Sequence, residues 1–350
     1  MVTAASPSSP PLEYVRTDDG VTLAYAALGD GPTLIWLPSL GNLVAQWRVP
    51  LLRNAYQRLA ERFRLVLYDG RGTGSSDRRI DPAGLGLDGQ LRDLSAVVDA
   101  VGPAPVALIG YYHSVPAAVA FAAAHPRRVS RLALFGGSLR LRDSMSPQQT
   151  QALLSLIDQD WDLFAQTAAH TWLGWGAGES SRLVADAFRT AATPTTAAAL
   201  FAAAADVDVS ARAPAVQAPV LVLHRQSEKQ IPVEMSRQLA DALPNGTLLV
   251  LPGSTPTLFF ENPDEDLDTV SRFLLGAPPA AGGPPNPDGL TAREIEVLRL
   301  LAGGGSNQQI GSGLGISVHT VERHAGNLYR KIGARGRADA TAYAVRRGLV

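Results

Sequence analysis

Short apolar segments alternate with longer amphipathic segments along most of the chain. The short segments, apolar at nearly every position, occupy residues 33–37, 64–68, 106–109, 132–135, 220–223 and 247–251. Helix-length segments such as Leu87–Val101 and Val115–Ala124 separate most of them. Continuous apolar runs are typical of strands buried on both faces, and such strands usually belong to parallel sheets. The pattern therefore predicts an α/β fold in which helices cover both faces of a mostly parallel sheet.

Three segments depart from this alternation. Residues 13–28 alternate apolar and polar positions around Asp19 and Gly20, which predicts a β-hairpin. An Ala-rich segment interrupts the strands with a helical pattern, and a later segment contains too much Pro and Gly for a helix or a strand. We therefore divide the chain into a disordered start (1–12), a large α/β domain (13–276) with a helical insertion at about 139–214, a linker (277–289) and a small domain (290–350).

Composition and charge narrow the class of protein. The 350 residues are 46% hydrophobic and 18% charged, as in an ordinary soluble globular protein, and the net charge is −1. From Asn286 onward there are nine Arg or Lys and five Asp or Glu, so this end carries +4 and the remainder carries −5. A weakly acidic body with a basic end suits a nucleic-acid partner.

Several classes of site and location are not expected. The chain has no cysteine, which excludes disulfides, thiolate metal sites and cysteine nucleophiles. The first residues have neither the basic start nor the apolar run of a signal peptide. No segment approaches the ~20 apolar residues of a membrane helix. We expect a cytoplasmic protein without a cofactor, a bound metal or a membrane contact.

The C-terminal domain contains a helix-turn-helix pattern. The segments that carry it lie at residues 290–302, 307–314, 316–324 and 327–333. Together they resemble the LuxR-type DNA-binding domain over its whole length. The resemblance implies that this domain binds duplex promoter DNA through a recognition helix that begins at Ser317 and runs to about Ile332.

The recognition helix has two predicted faces. Val321, Leu328 and Ile332 share one face, which we expect to pack on the preceding helix. The resemblance implies that the DNA contacts come from Ser317, Thr320, Arg323, His324, Asn327, Arg330 and Lys331. Arg323 and Asn327 are the predicted base readers, because both side chains pair well with base edges. The alternative for any one of these charged residues is a solvated helix face.

Two further features of this domain bear on how it binds DNA. Glu322 stands where members of the family often carry Lys or Arg, which predicts an altered site preference or weaker binding. The last helix, predicted at Arg337–Arg347, places Ala338, Ala342 and Val345 along one side. In this family that helix commonly dimerises, so the resemblance implies a homodimer that reads two half-sites.

Three motifs of the large domain resemble the α/β-hydrolase fold. They are Asp69–Asp77, Gly110–Ser114 and His224–Pro232, and each follows a predicted strand. The resemblance covers Glu13 to about Leu275, with the helical insertion in the place of the cap of these enzymes. It implies a cavity between sheet and cap, at the carboxyl ends of the strands.

The Ser-His-acid triad of such enzymes is largely replaced. Family spacing puts Tyr112 at the nucleophile position of the elbow motif, Pro256 at the histidine position and Glu228 at the acid position. A phenol with a pKa near ~10 is a poor nucleophile, and proline cannot transfer a proton. We therefore expect no triad hydrolysis, although His113 and Ser114 leave a residual route open. Glu228 is alternatively a plain surface carboxylate.

The cavity is expected to persist without the triad. Its predicted lining residues are Trp36, Tyr111, Tyr112, His113, Trp172 and Trp175. Aromatic and polar-tipped side chains suit a small, partly apolar molecule. The alternatives are that Tyr112 only fills the niche of the lost nucleophile and that the tryptophans belong to the core.

These features together predict a DNA-binding transcriptional regulator whose inactive hydrolase-like domain binds a small molecule, mediates dimerisation, or does both. One alternative is a DNA-tethered hydrolase or lyase with non-standard catalytic residues. Another is a domain with a collapsed cavity that only recruits partners, RNA polymerase among them. Ester turnover distinguishes the first alternative, and the presence of an open cavity bears on the second.

Overall fold

The computed structural model describes residues 9–143, 147–173, 179–228, 231–255, 257–277, 290, 292–314 and 317–347. The chain divides into two compact units, Met1–Pro279 and Ala280–Val350. Trp175 and Pro256, both singled out in the sequence, lie outside the described residues, as do most of the predicted disordered start and linker.

The first unit is built on one sheet. Its strands are β1 (Glu13–Arg16), β2 (Thr22–Leu28), β3 (Thr33–Trp36), β4 (Arg64–Tyr68), β5 (Val106–Tyr111), β6 (Val129–Phe135), β7 (Val220–Arg225) and β8 (Gly246–Leu251). They are arranged in the order β1-β2-β4-β3-β5-β6-β7-β8. The predicted hairpin, β1 and β2, is antiparallel and β2 pairs antiparallel with β4, whereas every other neighbouring pair is parallel. The mostly parallel sheet predicted from the apolar segments is confirmed.

Helices flank the sheet and form the insertion. They are α1 (Leu43–Trp47), α2 (Pro50–Ala60), α3 (Leu87–Ala100), α4 (Val115–Ala124), α5 (Pro147–Gln159), α6 (Trp161–Leu173), α7 (Glu179–Ala191), α8 (Pro194–Ala205), α9 (Val233–Asp241) and α10 (Pro263–Leu274). Short 3-10 turns lie at Pro82–Leu85, Tyr112–Ser114, Leu141–Asp143 and Ala213–Ala215. The α4 sequence has no polar side chain, because this helix packs behind the sheet with nearly all of its residues buried.

Two apolar cores lie on opposite faces of the sheet, and a third lies within the insertion. Alternate residues of one strand enter different cores: Leu108 belongs to the first and Ile109 to the second. The insertion, α5 to α8, has its own small cluster around Ile157 and Phe164. It is the cap that covers the carboxyl ends of the strands, where the cavity described below lies.

Strand β7 extends beyond the predicted apolar segment by two polar residues, His224 and Arg225, and both are buried. Arg225 forms a two-pronged ion pair with Asp266 of α10, and His224 Nδ1 lies 2.9 Å from Ser236 Oγ of α9. The strand continues because both side chains pair with a residue of a helix that covers them. The apolar pattern alone predicts that the strand ends at Leu223.

The second unit contains the helices α11 (Ala292–Ala302), α12 (Asn307–Leu314), α13 (Val318–Lys331) and α14 (Arg337–Arg346). Val321 and Leu328 of α13 are buried in its core, and Ile332 packs against the same cluster, as predicted. None of the helices that the structure describes, in either unit, has the length and apolar character needed to cross a membrane.

Candidate functional site

The link between β5 and α4 forms the sharp turn of the elbow motif. β5 ends at Tyr111, and Tyr112 then adopts a positive φ of 41° before the 3-10 turn that leads into α4. Such a backbone conformation is strained for a residue with a side chain and needs support from its surroundings. Ser114 supplies it, because its Oγ accepts a hydrogen bond from Tyr111 N at 2.8 Å and donates one to Tyr111 O at 3.0 Å. The Ser114 hydroxyl therefore closes the turn.

The phenol of Tyr112 reaches the residue at the acid position. Its hydroxyl donates a hydrogen bond to Glu228 Oε2 over 2.8 Å. Burial, and then the adjacent Glu228 carboxylate, raises the pKa of Tyr112 far above its usual range. Glu228 is partly buried, so its interpretation as a plain surface carboxylate is wrong. Tyr112 and Glu228 are thus in direct contact through a phenol that stays protonated.

The loop that carries the histidine position is anchored on two sides. Pro256 itself lies outside the described residues, but the backbone N–H groups of Ser254 and Thr255 both donate to Glu261 Oε2, at 2.8 and 2.9 Å. On the other side, the Thr257 hydroxyl donates to the carbonyl of Trp172 at the end of α6. This loop therefore connects the core to the cap.

A cavity of about 270 Å³ lies between the sheet and the cap. Five of the predicted ligand residues, Trp36, Tyr111, Tyr112, His113 and Trp172, line it. Sequence reasoning missed lining residues on α1 and the cap helices, such as Gln46, Phe164, Phe188 and Phe201. No local motif marks these positions, since only the packing of cap on sheet brings them together.

The aromatic lining residues share roles with the core. Tyr111 is buried, and its ring stacks on Trp36 with centroids 5.1 Å apart. Trp172 is half-buried and contacts the rings of Phe188 and Phe260, each with centroids 6.1 Å away. Core packing and cavity lining are therefore two functions of the same side chains.

His113 borders this cavity and a smaller one of about 100 Å³. Its ring meets Phe201 of the cap edge-on, with centroids 5.4 Å apart, and the side chain keeps solvent-accessible surface. Burial within the protein lowers the pKa of the imidazole. His113 is therefore a neutral polar group directed at the cavity near Tyr112.

Three carboxylates stabilise the loop after β4. Asp69 lines the larger cavity and accepts hydrogen bonds from the backbone N–H groups of Leu43 and Ser75, both at 2.8 Å. Burial raises the pKa of Asp69 to about 6, so it is mostly ionised at neutral pH. Arg71 lines the smaller cavity, where its guanidinium is held by Asp93 and Asp19 at 2.9 and 2.8 Å.

The recognition helix α13 of the second unit begins as predicted. Ser317 caps it, since its Oγ accepts from Thr320 N at 3.1 Å. Arg323 and Arg330 are exposed, and Arg330 donates to Asn327 Oδ1 at 3.0 Å. Arg323, Asn327 and Arg330 lie on the side of the helix opposite the buried Val321 and Leu328. This side is the outward face available to DNA.

Two of the predicted DNA contacts do not fit their surroundings. His324 is only 5% exposed and belongs to the buried side of α13, three residues after Val321. That spacing places both on one helix face, so the sequence contained the signal. Lys331 Nζ donates to Glu294 Oε2 at 2.7 Å, and Glu294 is almost fully buried. His324 therefore faces the core of the domain, and the partly exposed Lys331 is held by the Glu294 carboxylate.

Helix α14 also has one buried and one exposed side. Tyr343 and Ala344 face the core of the domain, whereas Ala338, Ala342 and Val345, the predicted dimer face, are exposed. Val345 is 62% exposed, which is unusual for a large apolar residue. Dimerisation through this face stays a prediction.

Together, the elbow turn, the capped sheet and the outward-facing recognition helix define a protein with a hydrolase-fold domain and a helix-turn-helix domain. The chain belongs to the family described as the alpha/beta hydrolase fold, which matches residues 32–263. Residues 288–344 match the luxR family of bacterial regulatory proteins, so the second unit is a LuxR-type DNA-binding domain.

Relatives match the two domains separately. RutD of Caulobacter sp. (strain K31), named as a candidate carbamate hydrolase, is 28% identical over 71% of this chain and 92% of its own length. The response regulator VraR of Staphylococcus aureus (strain Mu3) is 41% identical over 17% of this chain and 29% of its own length. The enol-lactonase of Burkholderia xenovorans LB400 superposes with a TM-score of 0.64 at 22% identity, over 75% of this chain and 100% of that one. The esterase EaEST of Exiguobacterium antarcticum superposes with a TM-score of 0.67 at 19% identity, over 75% of this chain and 99% of that one.

Proposed function

We propose that this chain is a transcriptional regulator in which the LuxR-type domain binds promoter DNA and the hydrolase-fold domain binds a small molecule without hydrolysing it. The observation that carries the proposal is the hydrogen bond between Tyr112 and Glu228. In a triad hydrolase, a histidine stands between the nucleophile and the acid and moves the proton. Here the phenol of Tyr112 bonds directly to the Glu228 carboxylate, with no histidine between them.

The neighbouring groups support the loss of triad chemistry. Ser114 is bound to the backbone of Tyr111 in both directions, so its hydroxyl has a structural role in the turn. His224, four residues before Glu228, is buried and paired with Ser236. Neither residue is arranged as a nucleophile activated by a base.

The open cavity supports ligand binding over the alternative of a collapsed, partner-recruiting domain. Tyr112 occupies the elbow without closing the space beneath the cap, which remains about 270 Å³. Concave, mostly apolar cavities with a few polar groups are typical of small-molecule sites. Recruitment of RNA polymerase, the role named in that alternative, would not conflict with ligand sensing, because it would use the outer surface of the domain and not the cavity.

Coupling to DNA binding is proposed to run through the cap and α10. Trp172 lines the cavity, and its carbonyl accepts the hydrogen bond from Thr257. Two residues along, the N–H of Phe259 donates to Asp266 of α10 at 2.9 Å. Helix α10 ends just before the Pro- and Gly-rich segment that leads to the DNA-binding domain. A ligand with different affinities for two cap positions would shift this connection.

A homodimer is the proposed DNA-binding form. The outward face of α13 presents few cations, so a single domain is expected to bind weakly in physiological salt. The exposed side of α14, with Ala338, Ala342 and Val345, offers an apolar surface on which two copies can pair. Two paired helices then read two half-sites of one promoter.

The second candidate is a DNA-tethered hydrolase, and the relatives named as hydrolases favour it. Its test is turnover of p-nitrophenyl acetate and p-nitrophenyl butyrate by the full chain, with the heat-inactivated protein as the control. The proposed regulator gives no turnover above that control. Turnover that co-purifies with the chain and disappears in Ser114→Ala would favour the enzyme, provided that the variant melts at the same temperature as the wild type.

Sensing is tested in two steps with the full chain. Selection from a random duplex pool gives the bound DNA sequence, and a metabolite library is then screened for compounds that raise the melting temperature and change affinity for that DNA. Trp172→Ala and Tyr112→Ala are expected to lose the response to such a compound. Leu163→Ala, at an exposed position of the same helix α6, is the control and should keep it. A response that survives both cavity variants would contradict the proposal.

A further inference from the structure

The cavity beneath the cap contains no Lys or Arg side chain among its described lining residues. The one carboxylate among them is Asp69, which is mostly ionised at neutral pH and is held in the wall by two backbone N–H groups. Arg71, in the adjoining smaller cavity, already pairs with Asp93 and Asp19. An anion that entered the larger cavity would lose its hydration and meet a like charge in the wall.

His113 supplies a polar group suited to a neutral partner. Its imidazole borders both cavities, and burial lowers its pKa, so the ring is uncharged at neutral pH. A neutral imidazole offers one donor and one acceptor nitrogen. The surrounding rings, such as Phe201 and Trp36, provide flat apolar surface on which an aromatic or alicyclic molecule packs.

The volume of the cavity limits the size of the ligand. An apolar cavity of ~150 Å³ in another protein holds benzene, which has six carbon atoms. By proportion, a cavity of about 270 Å³ suits a molecule of roughly ten to twelve non-hydrogen atoms. A fused bicyclic compound has this size.

We infer that the cavity binds an uncharged, mainly aromatic or alicyclic molecule of this size, whose hydroxyl or N–H group hydrogen-bonds to His113, and that it discriminates against carboxylates. This ligand class rests on the proposed sensory function, since it concerns the same cavity. The inference combines the absence of a lining cation among the described residues with the position of His113.

Three probes test the inference on the full chain by equilibrium dialysis at pH 7.5: 2-naphthol, naphthalene and 2-naphthoate. The uncharged 2-naphthamide, which has the same number of non-hydrogen atoms as 2-naphthoate, is the control for size and should bind more tightly than 2-naphthoate. The chain should bind 2-naphthol at least about tenfold more tightly than 2-naphthoate, because only the carboxylate brings a charge that must be desolvated without a partner. The chain should bind naphthalene about three- to tenfold more weakly than 2-naphthol, because naphthalene cannot form the hydrogen bond to His113.

Two variants separate the roles of polarity and charge. His113→Phe should lower the affinity for 2-naphthol to that for naphthalene. The affinity for naphthalene itself should stay within about twofold of the wild-type value. Gln46→Arg, on the cavity wall, supplies the missing cation and should raise the affinity for 2-naphthoate by about tenfold. Tyr14→Phe, at an exposed position of β1, is the control and should change none of the three affinities.

The outcomes distinguish the ligand class from the sensory function. Tighter binding of 2-naphthoate than of 2-naphthol, or an unchanged preference in His113→Phe, would overturn the ligand class and leave the cavity as a sensor for another compound. An unchanged 2-naphthoate affinity in a folded Gln46→Arg variant would overturn the charge-based exclusion. Failure of all three probes to bind would contradict both the ligand class and the cavity as a small-molecule site.

Discussion

At the scale of single residues, Tyr112 depends on a glycine that makes room for it. Gly136 follows β6 with a φ of 60°, and a Cβ added there would lie 2.8 Å from the Tyr112 ring. The phenol therefore occupies space that only glycine leaves open. Tyr112 also holds a strained backbone conformation of its own, so the two positions are expected to tolerate change poorly.

Gly136→Ala should destabilise the hydrolase-fold domain by about 1–3 kcal/mol, because it adds backbone strain and displaces the Tyr112 ring. The free energy of unfolding in urea measures this. Gly86→Ala is the control, since φ is negative there and a Cβ would meet nothing within 4 Å; because Gly86 is the N-cap of α3, this substitution should cost no more than about 1 kcal/mol. Equal effects of the two substitutions would show that Tyr112 is not confined as described.

The buried ion pair between Arg225 and Asp266 gives a second residue-scale prediction. Asp266→Asn should cost about 3–5 kcal/mol of stability, because it leaves a fully buried guanidinium without its counter-charge. Asp268→Asn, two residues along α10, removes only exposed ion pairs with Arg62 and Arg272 and should cost less than about 1 kcal/mol. Urea unfolding of both variants measures the contrast, and a small effect of Asp266→Asn would contradict the role assigned to the pair.

At the scale of secondary-structure elements, the recognition helix α13 shows how neighbouring residues divide between DNA and core. Arg323 is exposed and His324 is buried. The resemblance to LuxR-type domains alone assigns both to DNA. Helical periodicity relative to Val321 separates them correctly, because the packing face of a helix repeats every three or four residues.

Arg323→Ala should weaken binding to the selected DNA by about 1–3 kcal/mol, roughly 5- to 150-fold, without changing the melting temperature of the domain. His324→Ala should instead lower the melting temperature, because it removes a buried side chain. Fluorescence anisotropy and thermal melting of both variants give the comparison. If a fully stable His324→Ala variant lost affinity for DNA, His324 would contact DNA as the resemblance implies.

The strands illustrate what hydrophobic patterning predicts and where it stops. The segment at 64–68 matches β4 at both ends, and β3 to β8 all contain their predicted segments almost completely. The carboxyl ends of β5 and β7 extend further than predicted, to Tyr111 and Arg225. At these ends the side chains are aromatic or charged because they face the cavity or pair with a helix, and periodicity cannot register such partners.

At the scale of the whole molecule, the hydrogen bond between Thr257 and Trp172 is the proposed connection between cap and core. Thr257→Val keeps the shape of the side chain and removes the donor. It should leave affinity for the ligand found by the metabolite screen within about threefold, yet reduce the effect of that ligand on DNA binding, a coupling typically of about 1–3 kcal/mol.

The control for this prediction is Thr247→Val, at an exposed position of edge strand β8, which should preserve the coupling. DNA affinity of each variant is measured by fluorescence anisotropy with and without saturating ligand. Full coupling in Thr257→Val would exclude this hydrogen bond from the path. Loss of ligand affinity itself would instead assign Thr257 a role in shaping the cavity.

Much of this protein follows from the sequence by itself, because the properties concerned are local. Strand and helix periodicity and the resemblance of short motifs to two families depend on neighbouring residues, and together they are sufficient to predict both fold classes. The spacing of these motifs also predicts Tyr112 at the nucleophile position and Pro256 at the histidine position.

Tertiary structure decided the properties that depend on residues far apart in the chain. Tyr112 and Glu228 are separated by 116 positions, and their hydrogen bond exists only because β5 and β7 end at the same edge of the sheet. The volume of the cavity is likewise set by how the cap helices rest on the sheet, and the role of Arg225 by its partner on α10. Packing across such distances carries no local signature, since it depends on the combined shape and charge of elements that the chain brings together only when folded.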